Sequence, residues 1–541
     1  MQMPLSRNLF ELLREQSGRY GAAPAIIAGG VATSYTELYT QARQVALSLR
    51  GRGIRRNDRI GLLVSNRREW LDVCFGACGA GAVCVPLSTW STRQELDYLL
   101  ADSGVAMLFA LARFGDRDFA ADLASLAPEL ATGGACPRYP ALREIVLIEP
   151  RAADPFTKFD DFLAAGPGHA RDLPPRSAAQ PEADGLILYT SGSSARPKAV
   201  RLRQSGIIEN GFNIGERQGL RPGDRVLLSP PLFWSYGSAN AMPAALTHGA
   251  ALVLQEKFGA PGSLALIERH GCTALYTLPG MTNALLRDPG FSRERVKTLR
   301  TGLMIGSAQD VQDAAQSLGA SEICNIYGAT ETYGNCCVTW HYWPLEQRMH
   351  CQGPPLPGNE LRFVDVETGE PVSPGAPGLT EVRGHVTPGY WGASAGQNAL
   401  SFTPDGFYRT GDVGRLDGDG NFVFVGRSTE MIKRAGINVS PAEVEDILLR
   451  HPKVEQAGVV GVPDAERGEM IIAFVVPGRD SVVTSVELIA HCRSVASRYK
   501  IPDRIEIRSA LPLTPTGKLQ RRELKLAAAE LVSKRQETRN G

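Results

Sequence analysis

Little in this chain is in surplus, and the shortages narrow the field first. Neither sign of charge dominates: 58 lysines and arginines face 57 aspartates and glutamates, for a net charge of +1. A general affinity for nucleic acid or for an anionic membrane surface needs a basic excess or stripe, so both roles are excluded. Hydrophobic residues make up 43% of the chain, yet no stretch approaches the ~18 uninterrupted apolar residues of a membrane-spanning helix. The N-terminal "MQMPLSRNLFELLREQSGRYG" lacks the basic-then-apolar order of a secretory leader. The C-terminal "SKRQETRNG" carries no lipidation or retention signal, and a cytoplasmic protein is expected. The ten cysteines are scattered, with no CxxC matched by a second pair or by a histidine cluster, so zinc is not expected. Reduced, mostly buried thiols are the default. No repeat of solenoid or propeller period and no long low-complexity tract is present.

What the chain does have is length and alternation. Its 541 residues exceed several times the ~150 of a typical domain, so more than one domain is expected. "SYTELYTQARQVALSLRGRG" reads as an amphipathic helix after a Ser/Thr cap, and "DRIGLLVS" as a buried strand. "NRREWLDVCFGACGAG" then reads as a helix and "AVCVPL" as another strand. This βαβ rhythm predicts an α/β fold with mostly parallel, helix-covered sheets. Residues 166–184, rich in Pro, Ala and charge, read as a surface linker. After about residue 400 the texture shifts to short strands and tight Asp-Gly turns, followed by a helix–strand–strand–helix unit. A boundary near Arg427 divides a large part, 1–427, from a small α+β part, 428–541.

Two glycine- or acid-rich stretches are decoys. Asp417, Asp419 and Asn421 mimic the start of a calcium loop, but Phe422 and Ser428 stand where that loop needs Gly and Glu. "GACGAGAV" has the wrong glycine order and context for a dinucleotide fingerprint. "LYTSGSSARPKAV" (188–200) is different. A turn after a strand exposes backbone N–H groups, hydroxyls at Thr190, Ser191, Ser193 and Ser194 add donors, and Lys198 supplies a point charge. It suits a polyphosphate, although it is not a Walker A loop. Companions strengthen it: "NIYGATE" (325–331), "YRTGD" (408–412) with Asp412 placed to accept two ribose hydroxyls, "GRSTEMIKRAGINVSPAEVE" (426–445) and "LTPTGKLQRREL" (513–524).

With these motifs in this order, the chain resembles the ANL superfamily of adenylate-forming enzymes over nearly its whole length. The resemblance implies two-step chemistry: a carboxylate attacks the α-phosphate of ATP, and a thiol, commonly that of coenzyme A, then displaces AMP. It implies that Thr190, Ser191, Gly192, Ser193, Ser194 and Lys198 hold the phosphates of ATP, that Thr330 binds the α-phosphate, and that Glu331 holds Mg²⁺. Lys518 would bridge carboxylate and α-phosphate. Tyr327 would pack on adenine, with Gly306, Ser307, Ala308 and Asn325 lining the base pocket beside Ile326, Gly328 and Ala329. Asp412 and Arg427 would grip the ribose. Gly436, beside Ala435, would admit the pantetheine arm after a small mobile C-terminal domain pivots near Thr429.

Departures accompany the match. Trp234 stands where the family commonly has histidine, as a pocket wall or a core tryptophan. Thr429 and Glu430 replace the frequent Asp or Lys at the hinge. Ala195 and Ala199 replace two usual glycines and are expected to stiffen the phosphate loop. Trp234, Tyr236, Gly237, Met304, Tyr333 and Gly334 are the candidate acid-pocket positions; mainly apolar and without a cation, they favour a neutral aliphatic or aromatic monocarboxylate. The expected function is an AMP-forming acyl-CoA synthetase, monomeric or homodimeric. The alternatives are an adenylating enzyme that loads a carrier protein's phosphopantetheine and a catalytically idle nucleotide-binding relative.

Overall fold

The computed structural model describes residues 1–541 except 165–181, 191–196, 435–436, 465–467, 480, 497, 514–518 and 541. Most of the expected linker therefore lies outside the described residues. The chain divides into two compact units: Met1–Glu360 with Val382–Tyr408, and Leu361–Glu381 with Arg409–Gly541. This division follows packing, and its second unit takes in Arg409–Arg427, which the boundary near Arg427 assigns to the large part.

The α/β expectation holds in the first unit. Ser34 caps the helix Tyr35–Gly51, and Glu37 returns the bond to the Ser34 N–H, a reciprocal capping box. "DRIGLLVS" forms the strand Arg59–Leu63, "AVCVPL" the strand Val83–Pro86, and the intervening helix is Arg68–Ala80. The two strands pair in parallel, Ile60 opposite Cys84, as a helical crossover requires. They belong to a seven-stranded sheet whose one edge is the antiparallel pair Asp184–Thr190 and Lys198–Arg203.

A second, eight-stranded sheet runs in spatial order Cys337–Val338, Cys324–Tyr327, Thr301–Met304, Ala274–Thr277, Arg225–Leu228, Ala251–Leu254, Pro24–Ala28 and Val31–Ser34. The largest core takes side chains from both sheets, among them Leu62, Leu108, Val226 and Leu252. The helices Leu9–Tyr20, Tyr35–Gly51, Arg68–Ala80 and Gln204–Gln218 add to it. A second core covers the other face of the eight-stranded sheet. Strand alternation sorts neighbours between them: Leu303 enters the first and Met304 the second.

The second unit contains a four-stranded sheet, Glu360–Val364, Gly378–Arg383, Tyr408–Leu416 and Phe422–Arg427, whose first and third strands begin at the last residues of the first unit. Beyond it, the strands Val454–Asp464 and Gly468–Pro477 form a long antiparallel pair. The helices Pro441–Leu449 and Ser485–Val495 pack on one face of that pair, and Arg521–Asn540 on the other. The expected helix–strand–strand–helix order is thus present, with a third helix closing the second face.

Candidate active site

The strand Cys324–Tyr327 leads into the "YGATE" turn. A Cβ on Gly328 would lie 2.4 Å from both the Gly334 carbonyl oxygen and the Asn335 Cα, so only glycine lets the two arms of the turn close. One 3₁₀ turn follows at Thr330–Thr332 and is closed by the Tyr333 N–H donating to the Thr330 carbonyl (3.1 Å). Tyr333 itself has φ +55°, uncommon for a bulky side chain. Its hydroxyl accepts from the Arg203 N–H (3.0 Å), and its ring fills the space left by Gly206. Burial pushes its phenol up to about 12. Tyr333 therefore wedges the turn against the 203–206 corner; its hydroxyl and ring are already committed there.

Glu331 is buried, and its Oε1 accepts from the Tyr390 hydroxyl (3.0 Å) while its carbonyl accepts from the Thr387 N–H (2.7 Å). Burial, and then the charge of Glu331, push the Tyr390 and Tyr408 phenols upward, so both remain protonated. The ring of Tyr390 serves Lys198, whose Nζ lies 5.1 Å from its centroid, within cation–π range. The backbone secures this arrangement. Tyr390 bridges Val200, the Trp391 N–H donates to the Ala199 carbonyl (2.8 Å), and the Thr387 hydroxyl donates to the Arg201 carbonyl (2.6 Å). The segment 387–391 thus lies along the strand that carries Lys198 and ties it to Glu331. Sequence reasoning missed this residue: "TPGYWG" reads as a turn, and its role exists only through pairing with two distant motifs.

Lys198 opens its strand opposite Thr190, while Ser191, Gly192, Ser193, Ser194 and Ala195 lie outside the described residues. Ala199 is buried within the strand, paired with Tyr189. Any stiffening of a loop by alanine therefore rests on Ala195 alone.

Gly306 follows the strand Thr301–Met304. Ser307 caps the helix Ala308–Gln312 through a reciprocal box with Asp310, whose carboxyl burial raises. Asn325 is spent inside the sheet: its Nδ2 donates to the Cys351 carbonyl (3.1 Å), and its Oδ1 accepts from the Ile326 N–H (2.9 Å). Tyr327 is buried at the strand end opposite Cys337, and the Ala329 N–H donates to Thr332 Oγ1 (3.0 Å). Thr330 Oγ1 lies 3.1 Å from Ser235 Oγ. That contact brings the "YGATE" turn to the stretch "PPLFWSYGSANA".

This stretch supplies the other pocket candidates. The Trp234 carbonyl accepts the N–H groups of Gly237 (3.0 Å) and Ser238 (2.9 Å), and Tyr236–Ala241 continues as a π-helix. Trp234 is half-buried and meets Trp90 edge-on at 5.1 Å, and Phe233 meets the same indole at 5.3 Å. Trp90 is itself 44% exposed, so Trp234 belongs to an aromatic cluster that reaches solvent. The Tyr236 hydroxyl donates to the carbonyls of Leu303 (2.8 Å) and Thr277 (3.2 Å). Met304 lies in the second core, on the opposite sheet face from Tyr236, so the two do not line one cavity. Gly334 (φ +92°) packs against Asn240.

In the second unit, Asp412 and Arg427 face each other across an antiparallel strand pair, and the Arg427 Nε lies 2.8 Å from a buried Asp412 carboxylate oxygen. The two expected ribose ligands are thus adjacent. Thr429 is exposed in the turn after that strand, and the neighbouring Glu430 pairs with Arg521 (2.8 Å). Ala435, Gly436 and Lys518 lie outside the described residues. Among the described residues no group of three or more His, Cys, Asp and Glu is placed to hold a metal, and no helix is long and apolar enough to cross a membrane.

Comparison with known proteins places this geometry. Residues 13–391 match the model of the AMP-binding enzyme family, and residues 443–518 match the AMP-binding enzyme C-terminal domain. The chain is 32% identical over 512 residues to a putative acyl-CoA synthetase, YngI, of Bacillus subtilis, covering 92% of this chain and 93% of that one. It is 32% identical over 507 residues to a feruloyl-CoA synthase of Amycolatopsis sp, covering 93% and 95%. The solved anthranilate CoA ligase AuaEII, in complex with anthranoyl-AMP, superposes with a TM-score of 0.83 at 26% identity, over 98% of this chain and 100% of that one.

Proposed function

The chain belongs to the AMP-binding enzyme family, within the ANL superfamily of adenylate-forming enzymes, and on that premise we propose that it joins a small carboxylic acid to coenzyme A in two steps. In the first, a carboxylate oxygen attacks the α-phosphorus of ATP, the bond to the β-phosphate oxygen breaks, and pyrophosphate leaves acyl-AMP behind. In the second, a thiolate attacks the acyl carbon and AMP departs. Carboxylate and triphosphate repel each other, so charge neutralisation and alignment supply most of the first acceleration.

The observation that carries this reading is the array Lys198–Tyr390–Glu331, in which one phenol meets a cation over its ring and a buried carboxylate at its hydroxyl. Lys198 attracts the terminal phosphates. A lone carboxylate oriented by the Tyr390 hydroxyl fits Mg²⁺, an ion commonly bound by one or two carboxylates plus substrate phosphate oxygens. When bound there, the ion would neutralise phosphate charge. Thr330, turned toward Ser235, takes the α-phosphate; Asp412 and Arg427 take the ribose; Tyr327 and the 306–308 turn take the base. Lys518 serves the first step and Gly436 the second. A cytoplasmic setting, with no membrane requirement, suits soluble substrates of this kind.

The test is a panel of carboxylic acids read by pyrophosphate release, with and without coenzyme A. Acid-dependent release followed by a coenzyme A thioester is expected. Release without a thioester would move the acceptor to a carrier protein, and no release with any acid would sink the ligase reading.

A further inference from the structure

Beside the pocket candidates lies a group of asparagines whose polar atoms the fold leaves unmet. Asn240, in the π-helical turn Tyr236–Ala241, is 1% exposed, and neither its Oδ1 nor its Nδ2 has a hydrogen-bond partner among the described residues. It faces Gly334, where an added Cβ would come 2.5 Å from that Nδ2 and 2.6 Å from that Oδ1. Asn335, the next residue, is equally buried and has an unpartnered Nδ2. From the helix Gln204–Gln218, the fully buried Asn210 donates to the carbonyls of Asn335 (2.8 Å) and Tyr333 (3.4 Å), leaving its own Oδ1 unpartnered.

All of these unmet donors and acceptors belong to side chains that touch residues 333–335. Folded proteins leave few buried amide groups unpaired, because each costs its full desolvation, and several gathered at one place call for a missing partner. The π-turn points the same way, since such turns recur at functional sites. The location fits as well. Ser235, at the head of the same helical run, meets Thr330, and Asn240 comes five residues later, about one π-helical turn away.

We infer that Asn240, with Asn210 and Asn335, recognises an uncharged polar group on the acid. The substrate is then a short carboxylic acid bearing a hydroxyl or carboxamide away from its carboxylate, rather than a plain hydrocarbon tail. A hydroxyl can donate to an amide oxygen and accept from an amide nitrogen together, which answers both atoms of Asn240. The three side chains are all neutral, so they offer no counter-charge to a second carboxylate or an ammonium. This inference rests on the acid–thiol ligase reading and deepens it.

Matched acids of one shape test it on the full-length wild-type enzyme: 4-hydroxybenzoate against 4-methylbenzoate, and 5-hydroxypentanoate against hexanoate, read by pyrophosphate release. The hydroxylated member of at least one pair should be favoured at least tenfold in kcat/KM, and Asn240→Leu should reverse that ratio. If Asn240→Leu yields no folded protein, Asn240→Ser should still lower the ratio. Equal use of both members, or preference for the methyl member in both pairs, overturns the inference and indicates amides satisfied by water. Failure of the ligase reading looks different: no acid of either kind releases pyrophosphate, and the inference falls with it.

Discussion

Glu331 sits below the surface with a phenol donating to its carboxylate and a backbone amide to its carbonyl, and the phenol has a second duty toward Lys198. Removing only the hydroxyl separates these duties. Hydrogen bonds to charged groups contribute about 1.5–3 kcal/mol, so Tyr390→Phe should weaken divalent-ion binding roughly tenfold or more at about 1.4 kcal/mol per decade. The ring that faces Lys198 stays, and the ATP KM at saturating Mg²⁺ should hardly move. Titration of Mn²⁺ in the presence of ATP, followed by the free-ion EPR signal, reads this without turnover; unchanged Mn²⁺ affinity would remove Tyr390 from the site. Asp72 gives a prediction about stability. It is buried on the helix Arg68–Ala80, its Oδ1 lacks a partner among the described residues, and Arg68 reaches the other oxygen at 3.3 Å. Burial raises its carboxyl to about 7, with Arg68 opposing. A folded-state value above the unfolded one stabilises fully at low pH and loses that stability as pH rises. Wild-type stability should therefore fall between about pH 4 and 7, by about 3–4 kcal/mol in total at about 1.4 kcal/mol per unit. Asp72→Asn should flatten that slope and raise the melting temperature at pH 8. A variant that melts lower than wild type at pH 8 would show the carboxylate to be paired and needed.

Among the elements, the "YGATE" turn depends on one missing methyl. Gly328→Ala would force a Cβ onto the backbone of residues 334 and 335, and overpacking of this kind costs about 1–3 kcal/mol. The melting temperature should drop, and kcat should fall with it as Thr330 and Glu331 shift; loss of stability with kcat intact would make the turn a scaffold only. How far such elements could be read in advance depended on how local their causes are. Ser34 and Glu37 announce a helix start within four residues, and "DRIGLLVS" and "AVCVPL" carry the continuous apolar runs of strands buried on both faces. The "YGATE" and "YRTGD" stretches stand out for the same reason, each being a short local run, the first forming a turn and the second opening a strand in the folded chain. Tyr390 was not, because its meaning lies in partners at Val200 and Glu331 that the chain reaches only through the fold. Nor was the choice between Leu303 and Met304, which requires knowing which sheet face the Tyr236 hydroxyl approaches. The π-helical turn at Tyr236–Ala241 has no sequence signature comparable to a cap, and so the unmet amide of Asn240 could be found only in the folded chain.

At the scale of the whole molecule, the motif residues are divided between the two units. Lys198, Thr330 and Glu331 belong to the first, whereas Asp412, Arg427, Gly436 and Lys518 belong to the second. A ligase that uses Lys518 to form the adenylate and Gly436 to admit the thiol must present different parts of the second unit at each step, with the pivot near Thr429. Half-reactions separate the two demands. Lys518→Ala removes the cation proposed to offset repulsion between carboxylate and α-phosphate, so acid-dependent pyrophosphate release should fall by orders of magnitude. Thioester formation from supplied acyl-AMP needs no such cation and should persist. Gly436→Leu leaves the charges of the first step intact but fills the space proposed for the pantetheine arm, so pyrophosphate release should persist while thioester formation fails. Replacing Thr429 by proline would restrict backbone rotation at the pivot; each half-reaction should then survive in isolation more fully than the coupled reaction. Equal loss of both half-reactions in Lys518→Ala and in Gly436→Leu would mean that a single arrangement of the units serves both steps, and alternation between them would have to be abandoned.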